Sequence, residues 1–541
     1  MNNVRARFLA RHTVLFCCLA LTLFGALLTS IHPYFWLLWG LGACLTIVGV
    51  YDKIQTHHSV TRNYPIIGHA RYMIEAIRPE IRQYLLESDN ERVPFSRAQR
   101  SLVYQRAKKQ LSDAPFGTLL DVYAEGYEFI GHSVRPVLHG NPKDFRVAIG
   151  GPDCKKPYAA SVFNISAMSF GSLSANAIRA LNRGAKIGGF AHDTGEGSIS
   201  PYHREFGGDL IWEIGSGYFG CRDAGGKFDP FRFKNQASDP QVKMIEIKMS
   251  QGAKPGHGGI LPAAKVTREI SLTRGVPMGE DCVSPASHSA FSTPIEMMQF
   301  IAQLRELSGG KPVGFKLALG HPWDFMAMVK AMLVTKIMPD FIVVDGGEGG
   351  TGAAPVEFSD HIGVPMREGL LFVHNTLVGA GLRPHIKLGA AGKVVSAFDI
   401  VSVLAIGADW VNAARGFMFA VGCIQSRSCH TNKCPTGVAT QDPITQKSLV
   451  VPDKAQRVAN FHFNTLNALA DMLAAAGLTH PSEIGPHHLV RRVSASEIKL
   501  FSQLHTFIKP GSLLTDDENS HGVYGNSWRM AQAETFEAKR V

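Results

Sequence analysis

The chain has 541 residues, 45% of them hydrophobic and 18% charged, a composition that excludes wholesale disorder and a length beyond one ordinary core. Its formal charge of +10 fits an anionic membrane surface or acidic proteins and substrates as readily as an unremarkable basic surface. The basic residues are dispersed and no nucleic-acid-binding motif occurs, so no nucleic-acid partner is expected. Nine cysteines in a chain this long are too few and too unevenly placed for a disulfide framework.

Taken in chain order, residues 1–52 read as a two-helix transmembrane hairpin. Thr13 to Ile31 and Tyr34 to Tyr51 carry no charged residue apart from the flanks. At ~1.5 Å per residue each run reaches about 27–29 Å, enough for a bilayer core. His32 and Pro33 provide the turn, and Tyr34, Phe35, Trp36 and Trp39 form an aromatic belt beside it. A cleaved signal peptide is the alternative, but a second run follows at once and no small-x-small site is present. Arg5, Arg7 and Arg11 before the hairpin, with Lys53 and Arg62 after it, put both ends in the cytoplasm. The location expected is the inner (cytoplasmic) membrane, with everything after residue 52 facing the cytoplasm.

Residues 53–145 are mostly helical and polar in pattern, for example over Arg71–Leu86 and Ser96–Leu111, and read as a helical connecting segment. From Ser161 short β-branched runs alternate with helical stretches. Eight runs are counted: Val162–Met168, Gly189–Asp193, Leu210–Ile214, Met244–Met249, Val313–Leu319, Phe341–Asp345, His385–Leu388 and Trp410–Ala414. Repeated strand–helix units predict an α/β fold, either an open doubly wound sheet or a (β/α)8 TIM barrel. The count of eight and the polar or glycine residues at nearly every strand tip favour the barrel. After the last two strands come Gly389-Ala390-Ala391-Gly392-Lys393 and Ala413-Ala414-Arg415-Gly416, where barrels commonly bind phosphate. The run Asp345–Gly352 holds five glycines, more than packing would select, and points to backbone folded closely around a ligand.

At this point the chain resembles the FMN-binding synthase domain of the glutamate synthase family. The resembling strings are NISAMSFGSLS from Asn164, DTGEGS from Asp193, IEIKMSQGAKPGHGG from Ile245, DGGEGGTGAAP from Asp345 and GCIQSRSCHTNKCPTGVATQDP from Gly422. They follow the family's order over about residues 145 to 475. The resemblance implies an FMN-binding barrel over 146–480, with FMN held by Ala167, Met168, Ser169, Lys316, Gly347, Gly389, Gly392, Ala414 and Arg415. A cation at Lys316 would favour the anionic reduced flavin. It also implies a 3Fe-4S cluster on the loop 422–442, held by Cys423, Cys429 and Cys434 in a C-x5-C-x4-C pattern. Spacing alone leaves zinc with His430 as an alternative.

The implied activity is that of a glutamate synthase-type oxidoreductase acting on CH-NH2 donors: 2-oxoglutarate and ammonia form 2-iminoglutarate, which reduced FMN converts to glutamate. Carried over from the matching strings, Lys248, Gln251 and Lys254 form the clamp for the dianionic substrate, and Glu196 takes a polar or proton-handling role. Surface-loop charges are the alternative for Lys254 and Glu196. A glutaminase domain and an NAD-binding GxGxxG unit are not found, so ammonia is expected free or from a separate glutaminase subunit. Electrons would come from an acidic carrier such as a ferredoxin. A related FMN enzyme acting on another 2-oxo acid or amine, such as an N-substituted glutamate, remains open. So does a membrane-linked electron-transfer protein. Residues 481–541 read as a helical and polar tail, polar beyond Asp516.

Overall fold

The computed structural model describes residues 2–89, 91, 94–110, 113, 115–515 and 522–540, and for residues 2–10 the backbone alone. The side chains of Arg5 and Arg7, residue Leu111 and the segment 516–521, all used in the sequence reading, lie outside the described residues. The chain forms two compact units, Met1–Glu91 and Arg92–Val541.

In the first unit, α1 (Asn2–Leu28) and α2 (Phe35–Ile54) pack as a hairpin. Small residues allow their close approach: a Cβ on Gly42 would lie 3.0 Å from the Thr22 backbone nitrogen. Thr22 and Thr46 hydrogen-bond across the pair at 3.0 Å. The outward faces are apolar and uncovered, with Leu23, Phe24, Leu27, Leu37, Leu41 and Ile47 exposed. Both helices are long and apolar enough to cross a membrane, and their exposure separates them from the core helix of a soluble domain. Buried Asp52 accepts hydrogen bonds from the Ile66 amide (2.9 Å) and His69 Nε2 (2.8 Å), tying the short following helices to the end of α2.

The second unit opens with α3 (Arg97–Lys108), started by a capping box between Ser96 and Gln99. Helix stops there. The described residues from 115 to 145 are mainly turns and loop, with a 3-10 turn at Pro142–Asp144, and Glu128–Ile130 pairs antiparallel with Leu489–Arg492, which pairs in turn with Ile498–Leu500. Glu128 locks this sheet through Arg367 and Arg491. A sheet built from two distant segments thus stands where helix was expected before the barrel and in the C-terminal segment. The segment after the undescribed residues contains a helix, Val523–Met530.

The eight strands are β1 (Phe163–Ile165), β2 (His192–Asp193), β3 (Leu210–Ile214), β4 (Val242–Lys248), β5 (Val313–Leu317), β6 (Phe341–Asp345), β7 (Lys387–Ala391) and β8 (Trp410–Ala413). They close a parallel barrel in chain order, with β8 pairing β1 at Val411–Phe163 and Ala413–Ile165. The fold is the expected (β/α)8 barrel. β7 is displaced from its predicted position: His385 belongs to a 3-10 turn, and Gly389-Ala390-Ala391 are strand rather than loop. Gly389 is required there because a Cβ would lie 2.4 Å from the Trp410 indole.

Alternation decides what faces inward. Ile211, Met244, Phe341, Val343, Ala391 and Trp410 fill the lower barrel, capped by a hairpin of Arg146–Ile149 and Tyr158–Ser161. The polar upper layer above them is left to the site. Around the outside, α4 (Ala175–Gly188), α5 (Arg415–Val421) and α6 (Val451–Ala475) share one apolar core with the other helices, and α6 packs on α4 and α3.

Candidate active site

The deepest part of the site is a charged layer inside the barrel. Lys316 on β5 is buried and ion-paired to Glu213 on β3 and to Glu246 on β4, the latter at 3.3 Å. Strand register puts Glu213 level with Glu246. Carboxylate oxygens of Asp193, Glu213 and Glu246 all lie within 4.8 Å of one another, and Asp345 adds a fourth acid nearby. One ammonium cannot hold four carboxylates ionised out of water. Burial and then repulsion from Glu213 raise Asp193; burial raises Glu246 further, and Asp345 is raised as well. Burial opposes the charge on Lys316, yet the surrounding carboxylates hold its pKa well above the ordinary lysine value. Lys316 is therefore a fixed cation whose surrounding acids share protons.

Above this layer, at the C-terminal ends of the strands, Glu196 and Lys248 form an ion pair of 3.1 Å. Lys248 also donates to Gln251 Oε1 at 2.7 Å, Ser284 donates to Glu196 at 3.2 Å, and Lys254 donates to the Ala353 carbonyl at 3.0 Å. Burial alone would raise the Glu196 carboxyl, but Lys248, Arg274 and Lys254 outweigh it and bring the pKa to about 2. Two glycines make room for this carboxylate: a Cβ on Gly259 would lie 2.1 Å from Glu196 Oε1, and one on Gly215 2.8 Å from Glu196 Cβ. Gly252 allows the β4 loop to sit directly on the glycine loop after β6, since a Cβ there would be 1.7 Å from the Gly346 carbonyl.

Arg274 was not singled out by the sequence. It is 4% exposed and donates to the Phe170 carbonyl at 3.0 Å, and its Nε is buried without an acceptor. Nothing in its short helix (Arg268–Arg274) marks it, because only the fold turns that helix over the mouth.

On the other side of the mouth, Arg415 begins α5 and Lys393 takes a left-handed conformation (φ 52°) just after β7. Burial lowers the Arg415 guanidinium to about 10, and Lys393 is lowered by burial and by Arg415. The guanidinium lies 4.7 Å from the Phe95 ring centre and donates to the Glu348 carbonyl at 3.0 Å. Two cations at the start of a helix are the ingredients of an anion cradle.

The third part is the cysteine loop. Cys423 and Cys429 are partly buried and Cys434 is 5% exposed. Burial pushes the Cys423 thiol up to about 12 and raises Cys429. For Cys434 the same burial is outweighed by main-chain N–H groups of Ala439, Thr436 and Val438, which lower it. Lys265, buried and bonded to the Ser172 carbonyl at 2.9 Å, supplies a cation beside Cys429 and Cys434. Among the described residues, the thiols and His430 do not form a group with all ligand atoms within 4.8 Å.

One cavity of about 360 Å³ joins these parts. Ala167, Met168, Ser169, Lys316, Gly392, Ala414 and Arg415 line it together with Lys248, Gln251, Lys254, Glu196, Cys423 and Cys429. Gly347, Gly389 and Cys434 are not in its wall. Gly389 packs on Trp410 inside the barrel, and Gly347 lets the glycine loop meet Gly363, whose carbonyl a Cβ would approach to 2.8 Å. Lys265, Arg274, Lys393 and Phe95 enter the wall in addition.

Fold and site together define a (β/α)8 protein whose mouth brings Lys248, Lys254 and Arg274 around Glu196, sets Lys393 and Arg415 across from them, and carries a cysteine loop beside both. Residues 134–479 match the model of the conserved region in glutamate synthase. A glutamate synthase large subunit-like protein, YerD, of Bacillus subtilis is 39% identical over 84% of this chain and 94% of its own length. The archaeal glutamate synthase [NADPH] of Methanocaldococcus jannaschii is 35% identical over 62% of this chain and 63% of its own. Among solved structures, a mutant flavocytochrome b2 with pyruvate bound aligns at a TM-score of 0.40 and 13% identity, covering 83% of this chain and 91% of that one. The chain belongs to the glutamate synthase family.

Proposed function

We propose that this chain is a membrane-anchored oxidoreductase that aminates 2-oxoglutarate reductively to glutamate, using FMN in the barrel mouth and an iron–sulfur cluster on the cysteine loop. The observation that carries the reading is the single cavity in which clamp, cradle and cysteine loop adjoin.

The residues fit both groups. Lys393, Arg415 and the start of α5 would hold the flavin phosphate, the tip Ala167–Ser169 would contact the flavin, and Lys316, paired with Glu213 and Glu246, would supply a buried cation. The three thiols lie on one loop, close enough for Cys429 and Cys434 to raise Cys423. They suit a polynuclear cluster, whose thiolates the main-chain N–H groups and Lys265 would stabilise. When bound, FMN supplies two-electron reduction of an imine and the cluster supplies single electrons to the flavin.

The chain's own side chains then divide the work. Lys248, Lys254 and Arg274 carry three positive charges and Glu196 one negative, leaving two to meet a dianionic 2-oxo acid. Among the described residues the buried Arg274 Nε has no hydrogen-bond partner, so it would be available to a substrate oxygen. The Gln251 amide, which accepts from Lys248 through its oxygen, would orient the substrate oxygen with its nitrogen. Glu196 stays ionised far below neutral pH and is a weak base. Its part is to hold Lys248 and to attract ammonium. Ammonia arrives free or from a separate glutaminase subunit, and an acidic electron carrier of the ferredoxin kind suits the net charge of +10. The exposed apolar faces of α1 and α2 support anchoring in the inner membrane.

The test is anaerobic reoxidation. Detergent-purified protein is reduced chemically, then mixed with 2-oxoglutarate and ammonium while flavin absorbance and glutamate are followed. Stoichiometric glutamate that depends on both reagents is the result expected. A flavin left reduced by both together would transfer the assignment to another 2-oxo acid.

A further inference from the structure

A second cavity, of about 210 Å³, lies at the N-terminal end of the barrel, opposite the mouth. Ser161, just ahead of β1, forms part of its floor and is hydrogen-bonded at 2.9 Å to His462 Nε2 on α6. Asn460 on α6 and the last residues of α4, Ile187 and Gly188, complete the walls. Lys109, Lys143 and Arg146 stand around it, and among the described residues no Asp or Glu lines it. None of the three forms an ion pair among the described residues. Among the described residues the Arg146 side chain makes two long hydrogen bonds, to the carbonyls of Lys143 (3.3 Å) and Ala159 (3.4 Å).

Part of this charge has an intramolecular purpose. α3 ends at Lys108 and α4 at Gly188, so two helix C-termini meet at the cavity. Each presents about half a negative charge, offsetting about one of the three positive ones. About two remain without a partner. The buried His462 adds none: burial, reinforced by Arg146, lowers its pKa to about 3. The space exceeds by roughly tenfold what one water needs, yet falls short of the ~300 Å³ typical of larger organic ligands.

We propose that this cavity is a binding site for a phosphate-type dianion, held by Lys109, Lys143 and Arg146 at the end of the barrel remote from catalysis. Inorganic phosphate and the phosphate of a lipid headgroup share this chemistry. The bond is purely electrostatic and hydrogen-bonded, so both salt and charge reversal act on it directly.

The experiment is calorimetric titration of the full chain, in neutral detergent with its flavin bound, with inorganic phosphate at constant ionic strength balanced by chloride. Saturable binding is expected, weakened at least tenfold by Lys143→Glu and by Arg146→Gln. Arg274→Gln at the mouth should leave it unchanged. Lys143 and Lys109 are exposed, so Lys109→Glu serves as a second variant whose folding is not in question, checked by flavin content and melting temperature. Binding that survives all three charge changes, or no saturable heat, overturns the proposal. The source is decided in nanodiscs: phosphatidic acid mixed into phosphatidylcholine abolishes phosphate binding if a lipid headgroup occupies the site. Binding that persists there assigns the site to a soluble anion.

Discussion

Glu196 stands between three cations, and its carboxyl falls from an ordinary 4.5 to about 2 because they outweigh the effect of burial. A carboxylate whose folded pKa is depressed stabilises the fold above its unfolded value and loses that contribution as pH falls through the folded one. The span from 4.5 to about 2 corresponds to roughly 3 kcal/mol at neutral pH. Glu196→Gln should therefore lower denaturant-measured stability by about 2–3 kcal/mol at pH 7, and the gap to the parent should close between pH 4.5 and 2. A gap that persists at the acid end would mean that packing against Gly215 and Gly259, rather than charge, fixes this side chain. Arg274 poses a different question at the same scale, because its buried Nε has no hydrogen-bond partner among the described residues while its Nη2 bonds Ser169 and Phe170. Arg274→Gln should weaken 2-oxoglutarate binding by roughly 10-fold or more while flavin content stays unchanged, as equilibrium titration of the oxidised protein would report. Equal affinity in the variant would remove Arg274 from the clamp.

At the scale of elements, the loops after β4 and β6 are coupled by glycine contacts that no side chain can replace. Gly252→Ala would drive a Cβ into the Gly346 carbonyl and push apart the loop carrying Gln251 and Lys254. We expect a large loss of substrate affinity with a smaller change in melting temperature, since the clash lies at the rim and not in the core. In Gly389→Ala the added Cβ meets the Trp410 indole inside the barrel, and overpacking of this kind costs about 1–3 kcal/mol or more. There the melting temperature should fall first, and thermal denaturation of the two variants side by side separates the cases. Strands were readable from short β-branched runs: Leu210–Ile214 and Phe341–Asp345 match residue for residue, whereas of the run from Gly189 only His192 and Asp193 are strand, because Gly189 ends the preceding helix. β7 was misplaced because Gly389-Ala390-Ala391 looks like loop by composition, whereas Trp410 on β8 needs small residues opposite it. The wall of the mouth was readable where one string carried it: Lys248, Gln251 and Lys254 line the same cavity. The partners of Lys316 were not, since Glu213 and Glu246 lie on other strands and are brought level only by barrel closure. Nor was the sheet formed by Glu128–Ile130 with Leu489–Arg492, a pairing across more than half the chain.

For the whole molecule, the question is what the N-terminal hairpin does for a barrel that has its own core. The exposed Leu23, Leu27, Leu37 and Leu41 would be an aggregation hazard in water, while in a bilayer they meet their natural solvent. The full chain should sediment with membranes and resist alkaline carbonate, and a chain beginning at residue 55 should move to the soluble fraction. Because the barrel unit starts at Arg92, that shortened chain should keep its flavin and its thermal transition. It also provides the setting for a cluster test. Cys429→Ser should lose iron and acid-labile sulfide, while Cys154→Ser, far from the loop, should retain both. Under the proposed anchoring, a donor reaching the cysteine loop would approach a protein confined to a surface. Its encounter rate should drop as ionic strength rises if it is an acidic soluble carrier, because steering by opposite charge is screened within about 8–10 Å. A donor dissolved in the membrane would show no such dependence, and stopped-flow reduction across a salt series distinguishes the two.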